Sequence, residues 1–308
     1  MEYSIVLPIY NEEQNLPHLY KRVSQVMEKL GGDYELIFIN DGSIDRTPLL
    51  LKQLHEKNKK VKVINFSRNF GHQIAVTAGL HHVSGDYIAV LDGDLQDPPE
   101  TLPDFFGKAK EGFDVVYAIR KKRKENIFLK ICYSLFYKIL HRVADIEIPL
   151  DSGDFCVMSK RVVGVINSLP ERNRFIRGLR SWTGYKQIGL AYERDKRFAG
   201  ESKYNLQKMF KLAFDGIFSF SYIPLQAMFF LGSISLLLSI LGSLWALYER
   251  FFTANYSRVP GFATTIILIM FVGGLQMFSI GVMGEYLRRV YDEVKQRPQY
   301  IIESKIGF

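Results

Sequence analysis

Through the first half of the chain, short apolar runs alternate with polar segments of helix length. "YSIVLPI" (3–9), "YELIFIN" (34–40), "VKVINF" (61–66) and "DYIAVLD" (86–92) are rich in β-branched residues and almost unbroken in their apolar character. Such runs suit strands buried on both faces, as in a parallel sheet. Residues 12–30, 46–57 and 71–83 between them have the length of helices, so the alternation predicts a parallel α/β sheet. Ligands of these sheets bind beyond the carboxyl ends of the strands. The polar clusters "PIYNEE", "NDGS" and "DGDLQD" fall at three such ends.

The last third reads differently. Residues 216–248 and 259–284 contain no Asp, Glu, Lys or Arg, and each stretch exceeds the roughly 20 residues that cross a bilayer as a helix. Two such stretches after a mixed sequence predict a transmembrane hairpin. Arg194, Lys196, Arg197, Lys203, Lys208 and Lys211 precede it, Arg288, Arg289, Lys295 and Arg297 follow it, and the connection holds only Arg250 and Arg258. The positive-inside tendency then places both ends in the cytoplasm. The predicted organisation is a cytoplasmic domain over 1–204, an interfacial helix over 205–222, spans over 223–248 and 262–284, and a cytoplasmic tail over 285–308. The opening "MEYSIVLPIY" does not read as a signal peptide.

Composition narrows the partners. The 308 residues carry a net charge of +8, which favours an anionic partner: nucleic acid, a membrane surface or a phosphorylated substrate. Cys132 and Cys156 are too few for a disulfide framework. The basic run "RKKRK" (120–124) precedes a helical stripe of Ile127, Phe128, Ile131, Cys132, Leu135, Phe136, Ile139 and Leu140. A core helix and an interfacial helix fit that stripe equally well. Nucleic acid is set aside, because no recognition module accompanies the basic run.

Three clusters carry candidate chemistry. Asp92 and Asp94, spaced D-x-D, together with Gln96 offer oxygen ligands to Mg²⁺ or Mn²⁺, although Asp-Gly followed by Pro98-Pro99 also suits a plain turn. In "RFAGESKYN", Arg197 and Lys203 suit phosphate oxygens or simply membrane-proximal charge. In "LDSGDFCVMSKRV", Asp154 sits in a short polar break, where most aspartates are caps or turns.

The ordered set "VLPIYNEEQNL", "INDGSIDRT", "NFSRNFGHQIAVTAGL", "LDGDLQDPPE", "SGDFCVMSKRVV" and "RFAGESKYN" resembles family 2 glycosyltransferases. More narrowly it is similar to the polyprenyl-phosphate glycosyltransferases, the dolichol-phosphate mannose synthases and bacterial bactoprenol glucosyltransferases. The resemblance covers residues 1 to about 210, and the two spans match the bacterial membrane-anchored branch. It implies a GT-A (Rossmann-like) fold. It also implies that Pro8, Tyr10, Glu12, Ile39 and Asp41 hold base and ribose, that Asp92 and Gly93 contact the nucleotide, and that Asp94 and Gln96 ligate the metal. By the same resemblance Arg197 and Lys203 grip the diphosphate, Arg120 faces the acceptor phosphate, and Lys130 and Ser134 share that acceptor role. Lys130 is a departure, since an arginine is usual there. The Q-x-x-R-W box of processive synthases is missing, which argues against polymer synthesis.

The implied reaction is inverting transfer of one sugar from a nucleotide sugar, UDP-glucose for preference, to undecaprenyl phosphate at the cytoplasmic face. GDP-mannose or an aminoarabinose donor, or a catalytically silent membrane scaffold, are the alternatives. A phosphate monoester is largely ionised at neutral pH, its second pKa being about 6, so Asp154 is expected to orient the acceptor or act as a modest base. A homo-oligomer is left open.

Overall fold

The four apolar runs form strands β1 (Tyr3–Ile9), β2 (Tyr34–Asn40), β3 (Val61–Phe66) and β4 (Tyr87–Val90), which are mutually parallel. They belong to a computed structural model that describes residues 1–120, 152–172, 174–193, 223–252 and 261–308. Helices α1 (Leu16–Leu30), α2 (Thr47–Lys57) and α3 (His72–His81) connect them. Each begins later than the sequence pattern suggests. The residues ahead of α1 and α2 instead bond across to one another: Glu12 N–H to Thr47 Oγ1 at 3.1 Å, Glu13 N–H to Asp45 Oδ2 at 3.2 Å, and Arg46 N–H to Glu13 Oε2 at 3.0 Å.

Around these strands lie α4 (Leu102–Lys110), β5 (Val115–Arg120), β6 (Ser152–Ser159), α5 (Lys160–Ser168), α6 (Ile176–Trp182), β7 (Gln187–Tyr192) and β8 (Ile302–Ile306). One sheet results, in the order β7-β5-β6-β4-β1-β2-β3-β8. It is mixed rather than parallel throughout: β6 runs antiparallel to β4 and β5, and β8 antiparallel to β3. Strand–helix alternation is informative only where each strand is followed by a crossover helix, which describes β1 to β4 and not the later strands.

Tyr3, Ile5, Leu7 and Ile9 face one side of the sheet, where Leu16, Leu19, Val23 and Met27 of α1 and Phe105 and Phe106 of α4 cover them. Helix α3 packs on β1 and β2 on the other side, over Val6 and Ile39. With both faces covered, the strands need no polar alternation, which explains their continuous apolar runs. β2 and β3 lie to one side of β1 and β4 to the other, so the strand order reverses between β1 and β4. That reversal opens a crevice at the carboxyl ends of these two strands.

A second compact unit spans Phe214–Gln296, while Arg297–Phe308 belongs with the sheet. It contains α7 (Ile223–Phe252) and α8 (Gly261–Lys295), both long and apolar enough to cross a membrane. Large apolar side chains along them, Phe229, Leu236, Met270 and Phe278 among them, are exposed, a surface that water does not tolerate over such an area. Helix α8 runs past the predicted span. Its last turns are held by Glu285–Arg288 and Arg288–Asp292 pairs at 2.7 and 3.1 Å, which support a solvated helix end. The predicted interfacial helix over 205–222 and the stripe that follows "RKKRK" lie outside the described residues.

Candidate active site

The crevice between β1 and β4 is built from the loops that follow β1, β2, β3 and β4. Pro8, unusual in a central strand, has a simple place here. Leu91 N–H bonds Val6 O and Asp41 N–H bonds Ile9 O, so residues 6 and 8 face β4 while residues 7 and 9 face β2. Ladder pairing with β4 ends at Val90, and the donor that Pro8 lacks falls beyond it. The chain after β4 is thus free to peel away. It does so close against β1: a Cβ on Gly93 would meet Ile9 Cδ1 at 2.6 Å and Pro8 O at 3.2 Å.

Past Gly93, Gln96 N–H closes a turn on Asp94 Oδ1 at 3.1 Å, and Leu95 takes a left-handed φ of 58°. A branched apolar residue there is strained, and burial of the Leu95 side chain in the core holds it. Asp92, Asp94 and Gln96 consequently keep solvent access while Leu91, Gly93, Leu95 and Asp97 are buried. Asp92 and its neighbours crowd like charges. Desolvation is the main cause that lifts the Asp92 carboxyl to about 6, with Asp154, Asp97 and Asp94 adding to it against the pull of His72. Asp92 Oδ1 is buried and has no hydrogen-bond partner among the described residues.

The loops after β1 and β2 interlock. Asn11, itself left-handed at φ 52°, donates its backbone N–H to Ser43 Oγ at 2.9 Å, and its Oδ1 accepts from Ile44 N–H at 2.9 Å. Gly42 (φ 67°) allows the loop after β3 to press on it, since a Cβ would stand 2.3 Å from the Arg68 carbonyl carbon. Asp41, 3% exposed, accepts from Phe70 and Gly71 N–H at 2.7 and 3.0 Å. Burial raises its pKa, partly offset by those two donors. The carboxylate therefore clamps the loop that launches α3. Tyr10 is 36% exposed. Glu12 accepts from Asn15 Nδ2 at 2.6 Å. Pro8 and Ile39 are buried register partners on β1 and β2.

Asp154 is not in a turn: it lies on β6, antiparallel to β4. Arg177 of α6 donates Nε to its Oδ1 at 2.8 Å, while Gln73 Nε2 and His72 Nε2, both on the first turn of α3, stand 3.3 Å from its Oδ2. His72 Nε2 is also 3.5 Å from Asp92 Oδ1. Desolvation would lower the His72 pKa, but Asp92 and Asp154 outweigh it and raise it to about 9. Desolvation would likewise raise Asp154, yet Arg177 and His72 hold it far below the ordinary carboxylate range. His72 and Gln73 lie within the motif "NFSRNFGHQIAVTAGL" with no role assigned to either, and Arg177 carries no marker at all. Only the position of "GHQ" at the carboxyl end of the third strand hints at the first two.

The structure thus brings Asp92, Gly93, Asp94, Gln96 and Asp154 together, with Tyr10, Glu12 and Asp41 on the neighbouring loops. Arg120 is the last residue of β5. Lys130, Ser134, Arg197 and Lys203 lie outside the described residues. Among the described residues, no three His, Cys, Asp or Glu form a complete metal cage.

The family described as Glycosyl transferase family 2 matches residues 4–166. An uncharacterized glycosyltransferase of Bacillus subtilis, YkcC, is 45% identical over 100% of this chain and 95% of its own length. A bactoprenol glucosyl transferase of Shigella phage SfII is 40% identical over 99% of this chain and 98% of its own. Among solved structures, glucosyl-3-phosphoglycerate synthase from Mycobacterium tuberculosis, in complex with Mn²⁺, UDP-glucose and phosphoglyceric acid, is 19% identical with a TM-score of 0.47, covering 70% of this chain and 77% of that one.

Proposed function

The chain belongs to glycosyl transferase family 2, and from that premise we propose that it transfers a single sugar, with inversion, from a UDP-sugar to a polyprenyl phosphate at the cytoplasmic face of the membrane. It is a glycosyltransferase with the GT-A arrangement. The observation that carries the finer reading is the crevice at the β1/β4 reversal, where three loops meet a carboxylate cluster in which Asp92 Oδ1 has no hydrogen-bond partner among the described residues. UDP-glucose is the preferred donor and undecaprenyl phosphate the preferred acceptor, in keeping with relatives named as bactoprenol glucosyl transferases along nearly the whole chain.

A divalent cation fits this cluster. A carboxyl raised to about 6 chiefly by desolvation, with acidic neighbours adding to it and one buried oxygen lacking a hydrogen bond among the described residues, is an arrangement that Mg²⁺ or Mn²⁺ would neutralise. Asp94 and Gln96 would hold it, with water and diphosphate oxygens completing the shell, and it would supply charge stabilisation for the departing nucleoside diphosphate. Arg197 and Lys203 grip the same diphosphate. The loops fixed by Asp41 and Asn11 receive base and ribose, with Tyr10 beside them.

The chain's own part in the displacement is positioning. The acceptor phosphate is already anionic, so its oxygen attacks the anomeric carbon without a strong base. Asp154, tied to Arg177, His72 and Gln73, is a poor proton acceptor at neutral pH and an effective brace for the crevice wall between β6, α3 and α6. The basic residues that flank the hairpin, Arg194 to Lys211 before it and Arg288 to Arg297 after it, support a cytoplasmic placement of both its ends.

Arg120, Lys130 and Ser134 form the acceptor half. Arg120→Ala is expected to leave UDP affinity unchanged while lowering transfer to undecaprenyl phosphate by about 10²-fold, the scale of a lost positioning contact. Lys130→Ala should act in the same direction but less, as a single point charge. Calorimetric UDP binding and lipid transfer, measured on the same preparations, decide this. Loss of UDP binding in Arg120→Ala would move that residue to the donor half.

A further inference from the structure

The segment after the second membrane helix is more than a tail. Helix α8 ends at Lys295, and residues 302–306 form β8, the strand that covers the open edge of β3. Tyr300 anchors the entry. Its ring stacks on Phe66 at 5.1 Å and its hydroxyl meets His81 Nδ1 at 2.9 Å. An edge cover needs nothing beyond backbone pairing and a little packing. This strand carries something that edge protection does not ask for.

Ser304 is the register partner of Asn65 on β3. Asn65 Nδ2 donates to Ser304 Oγ at 3.0 Å, Asn65 Oδ1 accepts from Asn40 Nδ2 at 2.9 Å, and Asn40 Oδ1 accepts from Ser43 N–H at 3.0 Å. Ser43 Oγ in turn accepts from Asn11 N–H. The relay runs from the middle of β8, whose amino end lies beside the carboxyl end of β3, across the carboxyl ends of β3 and β2, and finishes in the loops after β2 and β1. Its direction is fixed from one end. A backbone N–H can only donate, so Ser43 forces Oδ1 of Asn40 toward itself and leaves Nδ2 for Asn65. Asn65 must then present Oδ1 to Asn40, and its remaining Nδ2 needs an acceptor on the edge side. Ser304 supplies that acceptor. Asparagine is disfavoured in strands, and two of them end to end, one nearly inaccessible at the end of β2, make sense as a chain of oriented amides.

We infer that the C-terminal strand is part of the donor site, and that Ser304 and Asn65 are positioning residues that set the loop of Asp41, Gly42 and Ser43 for a nucleoside diphosphate. The inference rests on the reading of that loop as donor-binding. It also means that the donor loop is held by the stretch of chain that emerges from the membrane hairpin.

The test uses the full-length protein and UDP as the probe. Ser304→Val removes the acceptor in a strand-favouring side chain, while Ser304→Thr, which valine matches in shape, keeps it. Ser304→Val should raise the Kd for UDP and the KM for the donor about three- to tenfold, the scale of one net hydrogen bond. Turnover number and acceptor KM should stay as in the parent, and Ser304→Thr should bind within about twofold of the parent, since a hydroxyl is retained. Asn65→Leu breaks the middle link from β3 with β8 untouched, and should reproduce the donor-KM effect should Ser304→Val fray the strand. Amide exchange at Ser43 should quicken in Ser304→Val while Lys305 and Ile306 stay protected. Parent-like UDP affinity in both Ser304→Val and Asn65→Leu would overturn the inference with the donor reading intact. A parent protein that binds no UDP would overturn the donor reading, and this inference with it.

Discussion

Asp94→Asn is expected to lower sugar transfer by about 10³-fold, at the upper end of what removal of one electrostatic stabiliser costs, while leaving the fold unchanged. Asp94 keeps solvent access and its backbone sits in a turn that an Asn side chain closes equally well, because Oδ1 still accepts from Gln96 N–H. What the substitution removes is one negative charge facing the cation and the diphosphate. The variant should bind metal and UDP more weakly and retain the parent's thermal midpoint. Full activity of Asp94→Asn in the presence of a chelator would reduce "DGDLQD" to a turn.

The second large effect is at Arg177. Asp154 is 13% exposed, and its ionised form is held chiefly by the Arg177 guanidinium. Arg177→Ala leaves that carboxylate with His72 and Gln73 alone, and breaking a buried pair in this way costs about 3 kcal/mol or more of stability. The sign follows from the lowered pKa. The stabilisation that Arg177 confers is present above the ordinary carboxylate range and fades as pH falls through the depressed value, so parent and variant should converge in stability only in strong acid. Activity should fall by about 10²-fold, because His72 and Gln73 lose the brace that fixes α3 against β6. Asp154→Asn, which keeps the hydrogen bonds to Arg177 Nε through its Oδ1, should be milder than Arg177→Ala. The reverse ranking would make Asp154 a base rather than a brace. Denaturant unfolding and transfer assays on both variants give the comparison.

Much of this site was legible because the chemistry sits where the hydrophobic pattern ends. β1, β2 and β3 match their apolar runs residue for residue, and the carboxyl ends of β1, β2 and β4 carry the predicted polar clusters. Asp154 was legible as a residue and not as a place. "SGDF" looks like a polar break, and only its place in β6, beside β4 and against α3 and α6, brings Asp154 to the crevice wall. The roles of His72 and Gln73 were hinted at only by the position of "GHQ" after the third strand, and that of Arg177 was not legible at all, since nothing in sequence spacing brings α3 and α6 onto one carboxylate. The tail shows the same limit. "IIESKI" is too short and too charged to stand out as a strand, and its partner lies some 240 positions earlier in the chain, with Asn65 and Ser304 separated by 239 residues. Long-range pairing of this kind is fixed by the finished sheet edge rather than by local preference.

Sugar transfer to the lipid is measured most directly by incubating the full-length protein in lipid with labelled UDP-glucose and undecaprenyl phosphate, with and without chelator, beside a panel of other UDP- and GDP-sugars. A lipid-linked monosaccharide of inverted anomeric configuration is expected, formed from UDP-glucose in preference to the other donors, lost with chelator and restored by Mg²⁺ or Mn²⁺. Failure of every donor to label the lipid, or labelling that persists undiminished in chelator, would contradict the proposed transfer.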